Sequence, residues 1–174
     1  MADSTRQALR MVLLRELDAF CREVEAFPDD ESLWRTLPGV TNSCGNLALH
    51  VAGNLQHFVG ARLGGTGYVR NRDAEFSRRS GTRQALVDEL RRAREVVDTT
   101  LLRLPDAGWE AEYPDEVAGA RFPTSVFLVH LATHLSFHLG QAGYLRRGLT
   151  GNSTSVNPVA IPELVGLLER GRRP

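Results

Sequence analysis

Leu9, Leu13, Leu17, Phe20, Val24 and Phe27 recur at steps of three and four residues, which is the period of one helix face. The same period returns in three later segments. It runs through Leu47, His50, Asn54, His57 and Ala61, and again through Leu86, Leu90, Ala93, Val97, Leu101 and Leu104. The last run is Phe127, His130 or Leu131, His134, His138, Gln141 or Ala142, and Leu145. No stretch of useful length alternates as a strand would, and there is no internal repeat. Four amphipathic segments can bury their stripes only against one another, so the sequence predicts an all-α protein built as a four-helix bundle. The expected helices cover residues 4–27, 42–63, 82–104 and 122–148, with a short C-terminal helix over 160–170. At 174 residues the chain suits a single domain, 1–174, with one core.

The punctuation between these runs is firm. Pro28-Asp29-Asp30 ends the first, Gly64-Gly65-Thr66-Gly67 the second and Pro105-Asp106-Ala107-Gly108 the third. Trp34 sits in the first connection, where it is expected to cap one end of the core. Residues 64–81 form a glycine- and arginine-rich connection, expected to be functional or mobile. Extended, it is long enough to recross a helix of ~30 Å. Residues 105–122 are expected to be irregular, with a short extended piece.

All five histidines fall in two of the four runs. His134 and His138 are four apart, which puts both imidazoles on one helix face with Cβ atoms ~6 Å apart. Imidazoles in a stripe normally filled by Leu, Ile and Val need partners, and a metal ion satisfies several at once. The third ligand has to come from the other helix, from His50 or His57. Three imidazoles leave a coordination position open, as catalytic sites do. Zinc or nickel suits such a set, and iron or manganese also fits. Asn54 and Gln141 share the stripes and could orient ligands. The competing reading is a histidine-lined core satisfied by Asn54, Gln141, Ser136 and backbone groups, and haem held between two histidines is a further one.

Net charge is zero, which argues against nucleic-acid binding. All 21 basic residues are arginine, so lysine-based covalent chemistry is excluded. Cys21 and Cys44 show no metal-site or disulfide spacing and read as reduced thiols. Arg6, Arg10, Arg15 and Glu16 interrupt any signal-peptide pattern, and no apolar stretch is long enough to span a bilayer. A cytoplasmic protein with no membrane association is therefore expected.

Three motifs carry a family resemblance. The run His134-Leu-Ser-Phe-His138-Leu-Gly140-Gln141 resembles the fourth-helix motif of the DinB/YfiT-like superfamily of four-helix metalloproteins. The run Asn42-Ser-Cys-Gly-Asn-Leu-Ala-Leu-His50-Val-Ala-Gly-Asn54-Leu resembles its helix-two motif. Residues 64–76 are similar to a loop of one bacterial subgroup. The resemblance implies His50, His134 and His138 as metal ligands, and it leaves His57 and His130 as pocket or packing residues. It implies an up-down-down-up bundle with a long crossover, and a homodimer. It further implies a thiol-dependent S-transferase acting on a small-molecule substrate, in which a divalent metal activates a low-molecular-weight thiol such as bacillithiol or mycothiol. A metal-dependent hydrolase and a non-catalytic, stress-related metal-binding bundle are the alternatives. Arg70 and Arg72, with Arg78 and Arg79, could receive an anionic group of the thiol or substrate, or else pair with Asp73 and Glu75 on a solvated loop. Tyr68, Tyr144 and Ser136 are candidate proton donors.

Overall fold

The computed structural model describes residues 3–171, with side chains over 4–166. Among these the protein is all-helical. The elements are α1 (Asp3–Glu25), a 3-10 turn (Ser32–Trp34), α2 (Cys44–Leu55), α3 (Arg72–Ser77), α4 (Arg83–Arg103), α5 (Asp106–Glu110), α6 (Thr124–Thr150) and α7 (Ile161–Gly171). α2 continues without a break into a π-helical turn, Gln56–Ala61. The extended piece expected before α6 is reduced to isolated bridges, Glu112 with Pro123 and Val117 with Ala120.

Helices α1, α2, α4 and α6 form the bundle, in which α1 and α2 each pack on both α4 and α6. Side-chain pairs set the directions. On α1 and α4, Asp18 pairs with Arg94 at 2.7 Å and Arg10 with Asp98 at 2.7 Å, so these helices are antiparallel. α2 and α4 are parallel. Trp34 lies against Gly45 at the start of α2 and donates its indole N–H to the Gly81 carbonyl just before α4. Near the far ends, Gly60 faces Val96 and Gly64 faces Thr100. α2 and α6 are antiparallel, because His50 meets His134 while Phe58 meets Phe127. The order is up-down-down-up, and residues 62–82 make the crossover. Trp34 closes one end of the core, as expected for it.

The core is continuous, with Leu13, Leu17, Phe20, Leu55, Leu90 and Leu128 all 1% exposed or less. Each such side chain stabilises the fold by about 1.5–3 kcal/mol through burial. A second, polar element lies inside it. Arg146 is fully buried and bonds Glu23 at 2.5 Å, and it also donates to the carbonyls of Asn152 and Thr154. This pair ties the segment after α6 back onto α1.

Two expectations are corrected here. α6 runs two residues beyond Gly148, to Thr150, and Gly151 caps it in the left-handed conformation (φ 70°) of a helix-terminating glycine. Gly148 is instead a packing glycine, where Leu37 comes too close for a Cβ. The 64–81 connection is not a bare loop either. Its α3 docks on α2, which is why α2 is buried on nearly every side from Cys44 to Leu55.

Candidate metal centre

The site is built from the start of α2. Ser43 caps the helix in a reciprocal box with Asn46, which fixes the first turn. Asn46, His50 and Gly53 then follow at steps of four and three, so they share one face. All three meet α3. The Asn46 amide donates to the carbonyls of Glu75 and Arg78, both at 2.9 Å. The Glu75 carboxylate lies against the bare backbone of Gly53, where a Cβ would collide with Oε1. It bonds His50 Nδ1 through Oε2 at 3.0 Å and receives a two-pronged fork from Arg70 at 2.7 Å on each arm. Glu75 is only 5% exposed. Burial alone would push its carboxyl up, but the bonds from Arg70 and His50 outweigh it and hold the group below its ordinary value. Glu75 is therefore ionised and can only accept. Against that carboxylate a neutral His50 ring places its proton on Nδ1, which Arg70 Nη2 also approaches at 3.2 Å, and its Nε2 lone pair then faces away from Glu75.

That lone pair faces α6. His50 Nε2 is 3.2 Å from His134 Nε2, which is 3.1 Å from His138 Nε2. One ring nitrogen from each of the three lies within 4.8 Å of the other two. The far side of His138 is held too, its Nδ1 donating to Gln141 Oε1 at 2.7 Å. His50 and His138 thus both present lone pairs, and a single proton on His134 Nε2 would have to serve both. Adding a second proton is opposed. Burial, with help from the neighbouring imidazoles, lowers the pKa of His134 to about 4, and burial also lowers that of His138. Such a surplus of lone pairs fits a cation. The nitrogen–nitrogen edge of a tetrahedral site with bonds of about 2.05 Å is roughly 3.3 Å, close to the two contacts observed.

His134 and His138 do not occupy the centre of the inward stripe. Leu128, Leu131, Leu135 and Leu139 do, and the histidines lie about a quarter turn round from them, half-buried. This offset puts the cluster at the rim of the bundle, where a small molecule can reach it. The rings are packed together and against Phe76, whose centroid is 4.8 Å from that of His50. Nitrogens this close suit one small shared ion better than the opposed pair that would ligate haem.

The remaining sequence candidates scatter. His57 lies in the π turn, away from the cluster, with a buried Nδ1 that has no partner among the described residues. His130 is exposed and stacks on Phe127. Asn54 is buried with its Oδ1 unpartnered among the described residues, whereas Gln141 does orient a cluster histidine. Arg70 pairs with Glu75, but in a buried pair rather than on a solvated loop. Arg72 is exposed, its guanidinium 5.0 Å from the Phe76 ring centre. Ser136 donates to the Ala132 carbonyl, and Tyr144 stands 78% exposed on α6. Tyr68 lies beside Gly53 and Glu75, its phenol pushed up mainly by burial. In the sequence Glu75 reads only as an ion-pair partner for loop arginines. The signal for its role was the Asn46, His50, Gly53 face, with a glycine where a helix needs none.

The profile of the DinB superfamily matches residues 13–142, which span all four bundle helices and all three cluster histidines. The chain belongs to the DinB superfamily. No curated protein and no solved structure matches it. Among the described residues, no helix is long and apolar enough to cross a membrane.

Proposed function

We propose that this protein is a metal-dependent S-transferase. In this reading His50, His134 and His138 hold a divalent ion, zinc or nickel foremost, and the second substrate is a low-molecular-weight thiol such as bacillithiol or mycothiol. The observation that carries the proposal is the meeting of three imidazole nitrogens, with contacts of 3.2 and 3.1 Å. A bound divalent ion lowers the pKa of a coordinated thiol, so that the nucleophilic thiolate is present at neutral pH.

The chain's own residues prepare that chemistry. Glu75 and Gln141 fix the tautomers of His50 and His138, so the lone pairs point inward before any ligand arrives. Arg70 cancels the charge of Glu75, and the three-imidazole set adds none, which leaves the ion's charge available to an anion. Both arms of Arg70 are committed to Glu75, so recognition of an anionic group on the thiol falls to Arg72, beside Phe76, whose ring packs on His50. The thiol has to come from outside. Cys44 is wholly buried with its thiol pushed far up by burial, and Cys21 is pushed up to about 11, again chiefly by burial. The chain is further proposed to pair with a second copy through the exposed face of α6 that carries Val126, Val129 and Phe137.

The test is a transfer assay on metal-loaded protein, with monobromobimane as electrophile and bacillithiol, mycothiol or cysteine as thiol. Thiol-dependent turnover abolished in His134→Ala is the expected result. Turnover with water alone would make the protein a hydrolase. Stoichiometric metal with no turnover would leave a metal-binding bundle.

A further inference from the structure

A cleft of about 740 Å³ opens between α6 and the segment that leads into α2, and reaches the histidine cluster only through Gln141. Its walls include Leu37, Val40, Leu47 and Leu145, with Tyr144 at the rim. The volume is that of a small-molecule site, which runs from about 300 to 1,000 Å³. Among the described residues no acidic side chain lines it, and its one charged side chain is Arg147. Arg147 donates Nε–H to the Gly143 carbonyl at 2.9 Å and stacks on Tyr144, and it forms no ion pair among the described residues, although its Nη2 and Glu23 Oε1 flank the same side of Gly143. Its neighbour Arg146 is by contrast fully engaged with Glu23. Gln141, which holds His138 Nδ1, also lines the cleft.

We infer that this cleft binds a small amphipathic organic anion. Its aryl or alkyl body packs on Leu37, Val40, Leu47 and Leu145, and its carboxylate or sulfonate pairs with the Arg147 guanidinium. Apolar walls fix affinity, and the single cation fixes orientation, with the opposite end of the ligand directed towards Gln141. The cleft stands on its own geometry. That its occupant is the electrophilic substrate of the metal centre rests on the function proposed above, and names the class of that substrate.

The experiment uses 2-naphthoate as probe and uncharged 2-naphthamide as control, titrated into full-length protein by calorimetry and by amide chemical-shift mapping. It is run on chelator-stripped and on zinc-loaded protein. Wild type should bind naphthoate at one site in both states, with shifts at Val40, Leu47 and Gln141. Arg147→Gln should weaken naphthoate about tenfold and leave naphthamide unchanged, as expected for loss of one charge-assisted contact. Val40→Glu, at an exposed edge of the cleft, should weaken naphthoate without altering the circular dichroism spectrum. Binding that needs zinc and survives Arg147→Gln would mean a carboxylate on the metal and would overturn the proposal. So would the absence of binding, shifts mapping elsewhere, or an Arg147 that serves only the last turn of α6. Binding retained in stripped protein supports the cleft even if no thiol transfer is found.

Discussion

Glu75 reaches His50 only because residue 53 has no side chain: its carboxylate occupies the space that a Cβ on Gly53 would fill. Gly53→Ala should therefore displace Glu75 and free the His50 ring, although alanine favours the helix. Metal affinity is expected to fall about 10- to 100-fold, the usual effect of losing a group that orients a ligand. Glu75→Gln should do the same. Competition against a chromophoric chelator measures both, and unchanged affinity in both variants would remove Glu75 from the site.

The buried pair of Glu23 and Arg146 makes a separate prediction about stability. Arg146→Met leaves Glu23 buried without a countercharge and releases the carbonyls of Asn152 and Thr154. Denaturant unfolding should show a loss of about 3–5 kcal/mol. Replacing both residues with leucine should recover much of it. A loss below about 1 kcal/mol in the single variant would mean that Glu23 is solvated.

Neither cysteine should react in the folded protein. Burial raises both thiols, so at pH 8 the reactive thiolate is scarce as well as inaccessible. Ellman's reagent should titrate about zero thiols in native protein and two after denaturation. Rapid labelling of Cys21 in the native state would contradict this, and would admit an internal thiol to the chemistry.

The metal-free protein should lose stability in mild acid. His134 is depressed to about 4 in the fold, whereas an unfolded histidine titrates at 6.5. Between those values the unfolded chain binds more protons than the native one, so stability falls as pH falls from 6.5 towards 4. Melting curves across that window should show a smaller slope in His134→Asn. An equal slope in the variant would assign the effect to other groups.

The four bundle helices were legible because their stripes repeat every three or four residues and their ends carry proline and glycine. Family membership was legible too, since His50 and the His134-to-Gln141 run are local motifs. What escaped was set by tertiary packing. The π turn at Gln56–Ala61 has no marker in the residue pattern. α3 is six residues long and lies within a run rich in glycine and arginine, so it read as loop. Period alone does not separate the centre of a stripe from its edge, so from sequence the histidines of α6 read as core. Here Leu128, Leu131, Leu135 and Leu139 take the centre. That shift of about a quarter turn decides whether the cluster is sealed inside or open at the rim.

The central claim is a three-histidine metal centre, and elemental analysis of untagged protein purified without chelator tests it most directly. About one divalent ion per chain is predicted in wild type and in His57→Ala, and none in His50→Ala, His134→Ala or His138→Ala. A wild-type protein that stays metal-free after reloading with zinc, nickel, iron and manganese would contradict the account, as would loss of the ion on removing His57.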